Sequence, residues 1–144
     1  MKIYLDNCSL NRPFDDQSQV RIKIESEAKL AIQESIREGS YTLVWSYILD
    51  FENPANPFEG RRNEISKWKE IAFVFIKESK ELIKLANGFK TLGFKAIDSL
   101  HIAAASSAQC YYLITTDDGI LKKTEKVTSL KIINPVEFFT KELQ

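Results

Sequence analysis

Hydrophobic residues recur along this chain in two patterns, as short apolar runs and as longer stretches with helical spacing. The runs KIYL at 2–5, YTLVW at 41–45, YYLIT at 111–115 and LKII at 130–133 are rich in branched and aromatic residues, which favour β-strands. Their nearly continuous apolar character is typical of strands covered on both faces, as in a parallel sheet. A further short run at 73–76 sets the expected number of strands at four or five.

Helical spacing dominates the segments between these runs. A long amphipathic helix, ending at a Gly39 cap, is predicted from the recurrence of Val20, Ile24, Ala28, Ala31, Ile32 and Ile36. A short helix should begin at Ser46 and stop at the NPANP segment, two charged helices should fill 59–90, and an alanine-rich buried helix should open at Asp98. Strands that alternate with helices predict a right-handed, doubly wound α/β fold, and 144 residues fit a single domain, 1–144.

Composition narrows the classes of protein that remain. Twenty Lys plus Arg balance twenty Asp plus Glu, so the net charge does not indicate a nucleic-acid partner and any such binding must be local or metal-assisted. Cys8 and Cys110 have neither zinc-site spacing nor the density of a disulfide framework. The N-terminus has no signal-peptide pattern and no stretch is apolar enough for a membrane span, so we expect a cytoplasmic protein without a membrane partner.

Acidic residues follow the predicted strands. Asp6 comes directly after KIYL, and Asp117 and Asp118 come directly after YYLIT. Because ligands of open parallel sheets bind beyond the carboxyl ends of the strands, these positions are the first candidates for chemistry. Asp98, at the predicted start of the preceding helix, is close enough in a compact domain to reach the same edge.

A fourth acid is expected from the helix after the second strand, where Asp50 and Glu52 compete. Two residues apart on a helix, they point about 200° away from one another and cannot face the same point. Glu52 follows Leu49 and Ile48 and lies at the border of the apolar side. We therefore assign Glu52 to the site.

Each acid alone also has a structural interpretation. Asp98 could cap its helix, Asp117 or Asp118 could form a turn, and Asp6 could form an Asx turn. Their conjunction favours chemistry, because carboxylates that converge at one edge repel one another unless a cation neutralises them. Oxygen ligands select hard cations, so Mg²⁺ or Mn²⁺ is the expected cofactor.

The ordered acids, in the contexts IYLDNCSLNRPFDD, WSYILDFEN, AIDSLHIAAA and LITTDDGIL, resemble the PIN-domain nucleases, which include the VapC-type toxins of bacterial toxin-antitoxin pairs. The resemblance spans nearly the whole chain. It implies a three-layer α/β/α fold with a central parallel sheet, an RNA substrate, a homodimer and, for toxin members, an antitoxin protein. The residues it implies are the catalytic and metal-binding acids Asp6, Glu52, Asp98 and Asp117, with Asn7, Thr116 and Asp118 in support. The chain departs from the family pattern at Cys8, which holds the place of a common Asn, and Arg12 in the LNRPFDD extension is the expected phosphate contact.

Such a site would cleave RNA by metal-activated hydrolysis without a side-chain nucleophile. The chain has one histidine, so cleavage by two histidines is excluded, and we expect His101 to be a packed helix residue and Ser46 an N-cap. Two other functions remain open at this level. One is a PIN-like module that binds RNA or protein without cutting; the other is a Mg²⁺-dependent phosphatase, which fits less well because Cys8 holds the place of a required second Asp.

Overall fold

The computed structural model describes residues 1–143, which form a five-stranded, entirely parallel sheet in the order β3-β2-β1-β4-β5. The strands are β1 (Lys2–Leu5), β2 (Thr42–Ser46), β3 (Val74–Ile76), β4 (Tyr112–Ile114) and β5 (Lys131–Ile133). Every predicted strand is therefore confirmed, and the number of strands is five. In the centre of the sheet, Ile3 of β1 pairs with Leu43 on one side and with Tyr112 on the other.

Helices connect the strands. Their bounds are α1 (Asn7–Asn11), α2 (Val20–Arg37), α3 (Tyr47–Glu52), α4 (Glu59–Glu70), α5 (Lys80–Thr91), α6 (Ala96–Ser107), α7 (Asp118–Leu121) and α8 (Pro135–Phe138), with 3₁₀ turns at Arg12–Phe14, Asn53–Ala55 and Thr124–Lys126 and a π-helical turn at Phe139–Leu143. The short helices α1, α7 and α8 were not predicted, because four or five residues are too few to show helical periodicity. None of the helices within residues 1–143 is long and apolar enough to cross a lipid bilayer.

The sheet is covered on both faces. All residues of β4, and all but the first residues of β1 and β2, are buried. Because successive side chains of a strand point to opposite faces of the sheet, a layer must cover each face. Helices α5 and α6 pack against one another, and α2 packs against α8. The predicted three-layer α/β/α architecture is thus confirmed, and β3, at the edge, is the most exposed strand.

One helix start differs from the prediction, and one predicted cap lacks its hydrogen bond. Helix α6 begins at Ala96 rather than at Asp98, with Lys95 in the cap position, so Asp98 lies in the first turn and does not cap the helix. Ser46 does occupy the cap position of α3, but its side chain makes no capping hydrogen bond because its hydroxyl is bonded to Tyr4 instead.

Helix α2 buries only part of the predicted face, together with polar residues beside it. It ends as expected before Gly39, which has φ +84°. Val20 and Ile24 are nevertheless 73% and 47% exposed, whereas Glu25, Lys29 and Gln33 are buried, as are Ala28, Ile32 and Ile36. The cause is tertiary: α2 packs against the Arg12–Phe14 turn and α8, and these neighbours supply polar partners such as Arg12 and Asn134 for Glu25.

Candidate active site

The sheet has a topological switch point between the neighbouring strands β1 and β4. From β1 the chain proceeds outward through β2 and β3 on one side, and β4 and β5 lie on the other. In open α/β sheets this switch point opens a crevice at the carboxyl ends of the strands. Asp6 follows β1 and the segment 115–117 follows β4, so both border that crevice.

Asp6 is buried, with 3% of its surface exposed. One of its carboxylate oxygens accepts a hydrogen bond from the backbone N–H of Ser9 at 3.0 Å and so caps α1, and the other accepts one from the hydroxyl of Thr115 at 2.5 Å. Burial raises the pKa of Asp6, while His101 and these hydrogen bonds act in the opposite direction. Asp6 is therefore held rigidly between the two central strands.

Asp98 is half-buried at the start of α6. Its pKa is raised to about 6, first by burial and then by the negative charges of Asp117 and Asp6, against the opposing effects of His101 and Lys95. The sequence places these three acids far apart, and the fold brings them within electrostatic reach of one another. Asp98 is thus a carboxylate that would gain from a neighbouring cation.

The thiol of Cys8 lies near the same acids. Cys8 is exposed as a residue, yet the partial burial of its sulfur, followed by nearby negative charge, raises its pKa to about 12. The charges responsible are those of all four predicted acids, Asp6, Asp117, Asp98 and Glu52. The four acids therefore lie within electrostatic reach of Cys8, at the start of α1.

Glu52 is oriented by a buried chain of hydrogen bonds. Its Oε1 lies 2.5 Å from Nε2 of His101, whose Nδ1 lies 2.5 Å from the hydroxyl of Tyr4. The Tyr4 hydroxyl is in turn 2.6 Å from Oγ of Ser46. Asp50, the alternative acid, lies elsewhere, because it accepts hydrogen bonds from the Trp45 indole at 2.9 Å and from Lys69 at 3.0 Å.

Asp117 and Asp118 differ in what they bind. Asp117 is half-buried and caps α7 by accepting a hydrogen bond from the N–H of Gly119 at 2.7 Å. Asp118 is exposed and accepts two hydrogen bonds, at 2.8 and 2.9 Å, from the guanidinium of Arg21. Only Asp117 contributes to the raised pKa of Asp98, so it is the better candidate for the fourth acid.

The structure defines the neighbours of Arg12, Asn7 and Thr116, which were predicted to assist the four acids. Arg12 is held by Asp15 at 3.2 Å and by Glu25 at 3.3 Å, so its guanidinium already has acidic partners. The carboxamide oxygen of Asn7 accepts a hydrogen bond from Asn11 at 3.0 Å. Thr116 is buried and its hydroxyl has no partner among the described residues.

The threonine that touches the acids is Thr115, which sequence reasoning missed. It donates to Asp6 and accepts a hydrogen bond from the backbone N–H of Asp117 at 3.0 Å. The available signal was the pair of threonines before the acids in ITTDD, of which only the one adjacent to the strand end faces β1.

No three His, Cys, Asp or Glu side chains within residues 1–143 are close enough together to enclose a metal ion. The predicted four-acid cage is therefore not formed in this arrangement, since both oxygens of Asp6 accept hydrogen bonds and Glu52 is bonded to His101. In charge and chemistry the acids nevertheless fit a hard divalent cation, because they are oxygen donors whose mutual repulsion adds to burial in raising the pKa of Asp98.

A cavity of about 430 Å³ opens beside Glu52. Two exposed aromatic rings, Phe51 (73%) and Phe58 (56%), line it together with Asn7 and Arg61. The Arg61 guanidinium lies 4.7 Å from the centroid of the Phe58 ring. Aromatic faces beside a cation are the surface that unpaired bases and their phosphates bind.

The fold can be compared with that of known proteins. No protein-family model matches the chain, and no curated protein matches its sequence. Among solved structures, the chain is similar to one from the crystal structure of VapBC2 from Rickettsia felis bound to a DNA fragment from their promoter. The TM-score is 0.59 at 13% sequence identity, over 93% of this chain and 98% of that one. The chain has a PIN-like fold.

This result confirms, for the fold, the resemblance indicated by the order of the acids. At 13% identity, the likeness concerns the fold alone. In the PIN-like fold of this chain, Asp6 and Asp117 lie at the switch point of the parallel sheet, where the strands β1 and β4 meet.

Proposed function

We propose that this PIN-like chain is a metal-dependent endoribonuclease that hydrolyses RNA phosphodiester bonds. The observation that carries the proposal is the convergence of Asp6, Asp98 and Asp117 near the switch point of the sheet, where burial first and then the repulsion between these acids raise the pKa of Asp98 to about 6. Structural ion pairs lower the pKa of carboxyls, whereas a cluster of mutually repelling acids is typical of a site that holds a cation.

Mg²⁺ or Mn²⁺ would be held by Asp6, Asp98, Asp117 and, after a rotation of its side chain, Glu52. When bound, such an ion lowers the pKa of its water and stabilises negative charge on a scissile phosphate. Thr115 fixes the orientation of Asp6 through its hydrogen bond. His101 fixes that of Glu52. Neither residue needs to exchange a proton with the substrate.

The RNA strand would bind in the cavity beside Glu52. Phe51 and Phe58 offer faces on which unpaired bases stack, and Arg61 supplies positive charge next to them. In a chain of zero net charge, this local surface is the support for a single-stranded substrate. Arg12 remains a proposed phosphate contact, although a phosphate would have to compete with Asp15 and Glu25.

A second candidate function is a PIN-like module that binds RNA or protein without cutting it. The observation in its favour is that no group of three metal-ligating side chains is assembled within residues 1–143. In that case, the acids that raise the pKa of Asp98 would not bind a metal ion.

The proposed function also leads to proposals about the partners of the chain. We propose a homodimer located in the cytoplasm and, for a toxin role, an antitoxin protein that binds the chain. The similarity of the fold to a chain of the VapBC2 complex supports the antitoxin proposal. Co-expression with the product of the neighbouring gene, followed by copurification, tests it, and sedimentation of the purified chain tests the dimer.

The nuclease proposal is tested with an end-labelled, partly single-stranded RNA incubated with pure protein and Mn²⁺. Glu52→Gln and Asp98→Asn should lower the cleavage rate by at least about 10²-fold, because each removes an anionic ligand. Asp50→Asn is the matched control on the same helix as Glu52 and should cleave at the wild-type rate. Identical products from wild type and Asp98→Asn would refute the nuclease, and turnover of a phosphate monoester lost in Asp98→Asn would favour the phosphatase.

A further inference from the structure

A second cavity, of about 460 Å³, lies between α2, α4 and the Arg12–Phe14 turn. None of the candidate active-site acids lines it. Its walls are Pro13, Phe14, Lys29, Leu30, Gln33, Glu34, Arg37, Glu64 and Trp68. The proposed nuclease activity gives this cavity no role, so its side chains need a separate explanation.

Lys29 is the most unusual of these residues. It is 1% exposed, yet its ammonium takes part in no hydrogen bond or ion pair among the residues that the structure describes. Its Nζ lies 4.9 Å from the centroid of the Trp68 ring. Burial, followed by the positive charge of Arg37, lowers the pKa of Lys29 to about 7. A buried ammonium without a counter-ion is unfavourable, and an anion beside it would offset that cost.

Two further hydrogen-bond donors lie in the same cavity. Arg37 lies over the same Trp68 ring, with its guanidinium carbon 4.8 Å from the centroid. The side-chain nitrogen of Gln33, a residue 4% exposed, is buried without a partner in the described part of the chain. Two cations and an amide donor therefore line one cavity.

The acids that line the cavity do not neutralise Lys29. Glu34, on α2, reaches only Arg37, at 4.0 Å. Glu64, on α4, pairs at 2.9 Å with Lys67, which points to solvent. The side-chain nitrogen of Gln33 thus remains without an acceptor among residues 1–143, and neither of these two acids pairs with Lys29.

We infer that this cavity binds a small oxyanion, a carboxylate or a phosphate, between Lys29 and Arg37. The carboxamide of Gln33 donates to the same anion, and Trp68, Leu30 and Pro13 contact the apolar part of the ligand. Guanidinium and ammonium groups recognise both oxyanions by charge-assisted hydrogen bonds. The anion replaces the missing counter-ion of Lys29 and relieves its repulsion from Arg37.

The test is a titration of the full chain with inorganic phosphate and, separately, with acetate, against sodium chloride of equal ionic strength. Two-dimensional NMR follows the Trp68 indole N–H, with the buried Trp45 indole as internal reference, and the side-chain signals of labelled lysine. We expect one or both anions to shift the Trp68 signal with a dissociation constant on the order of 1 mM, and to raise the pKa of Lys29. Comparison of the two anions identifies which oxyanion is preferred.

Lys29→Met keeps the apolar stem and removes the charge, and should weaken binding at least about tenfold; Arg37→Met, at an exposed position, should weaken it severalfold. Lys23→Met, on the solvent face of the same helix, is the matched control and should bind like wild type. Absence of any shift at tens of millimolar anion, or equal shifts in wild type and both binding-site variants, would overturn the inference.

Discussion

The carboxylate of Glu52 and the imidazole of His101 lie 2.5 Å apart, although 49 residues separate them in the sequence. With its ring proton on Nε2, His101 donates to Glu52 and accepts from Tyr4 through Nδ1. Burial raises the pKa of Tyr4 well above its usual value, so its hydroxyl stays protonated and remains a donor. A buried histidine therefore controls where the acid of α3 points.

Substitution of His101 should change metal binding through Glu52. His101→Leu removes the donor, and we expect the Mn²⁺ concentration for half-maximal cleavage to rise about 10–100-fold, as for other groups that orient metal ligands. His101→Gln keeps a donor near the position of Nε2 and should remain close to wild type. Equal metal dependence in the two variants would show that His101 only fills space.

Asp98→Asn should stabilise the protein at neutral pH. The pKa of Asp98 is raised from 3.8 to about 6. Between these values the folded state binds more protons than the unfolded state, so this group makes folding less favourable as the pH rises through that window. After allowance for partial exposure, the gain in the Asn variant should be about 1–2 kcal/mol at pH 7 and should vanish below about pH 4. Urea unfolding at several pH values measures it; a loss of stability at pH 7 would contradict the assigned pKa.

Mg²⁺ or Mn²⁺ should raise the melting temperature of the wild-type chain. A cation that binds the folded state alone stabilises it by mass action, by about 2.7 kcal/mol at a concentration one hundred times its dissociation constant. The effect should decrease as the pH falls below the pKa of Asp98 and protons compete for the site. It should be absent in Asp98→Asn and present in Asp50→Asn. A melting temperature independent of both ions would favour the module that does not cut RNA.

Substitutions of Asp117 and Asp118 should have different effects on the cleavage rate. Asp117→Asn removes one of the charges that act on Asp98, and should lower the cleavage rate by at least about tenfold. Asp118→Asn loses only an exposed pair with Arg21, so it should keep its activity and lose less than about 1 kcal/mol of stability. Loss of activity in Asp118→Asn alone would reassign the fourth acid.

The aromatic wall of the cavity beside Glu52 should contribute to substrate binding. Phe58→Ala should raise KM for single-stranded RNA by about 5–100-fold with a smaller change in kcat, since loss of stacking with one base costs about 1–3 kcal/mol. Phe73→Ala is the control, because Phe73 is 82% exposed but precedes the edge strand β3 and does not line this cavity. An unchanged KM in Phe58→Ala would place the RNA elsewhere.

Local pattern explains why some features of the site were predictable and others were not. The position of Asp6 followed from the strand KIYL, and the choice of Glu52 over Asp50 followed from helix geometry, because both depend only on near neighbours. The role of Thr115 did not follow, since it depends on a hydrogen bond between β4 and β1, whose pairing the sequence does not specify.

Helix α2 shows what the local pattern does not predict. Its extent and the burial of Ala28, Ile32 and Ile36 were predictable, but the exposure of the apolar Val20 and Ile24 and the burial of the polar Lys29 and Gln33 were not. Helical periodicity identifies the face with the highest average hydrophobicity. It does not show which neighbours, here the Arg12–Phe14 turn and α8, cover a face.

The sequence by itself determined the strands, the long helices, the parallel α/β architecture and the acids at the strand ends, because these follow from burial and from repeats of two and 3.6 residues. The tertiary structure decided the order of the strands, the bond between His101 and Glu52, and the isolation of Lys29 in its cavity. Those features arise from contacts between residues far apart in the chain, and their energies depend on distances that only the folded molecule sets.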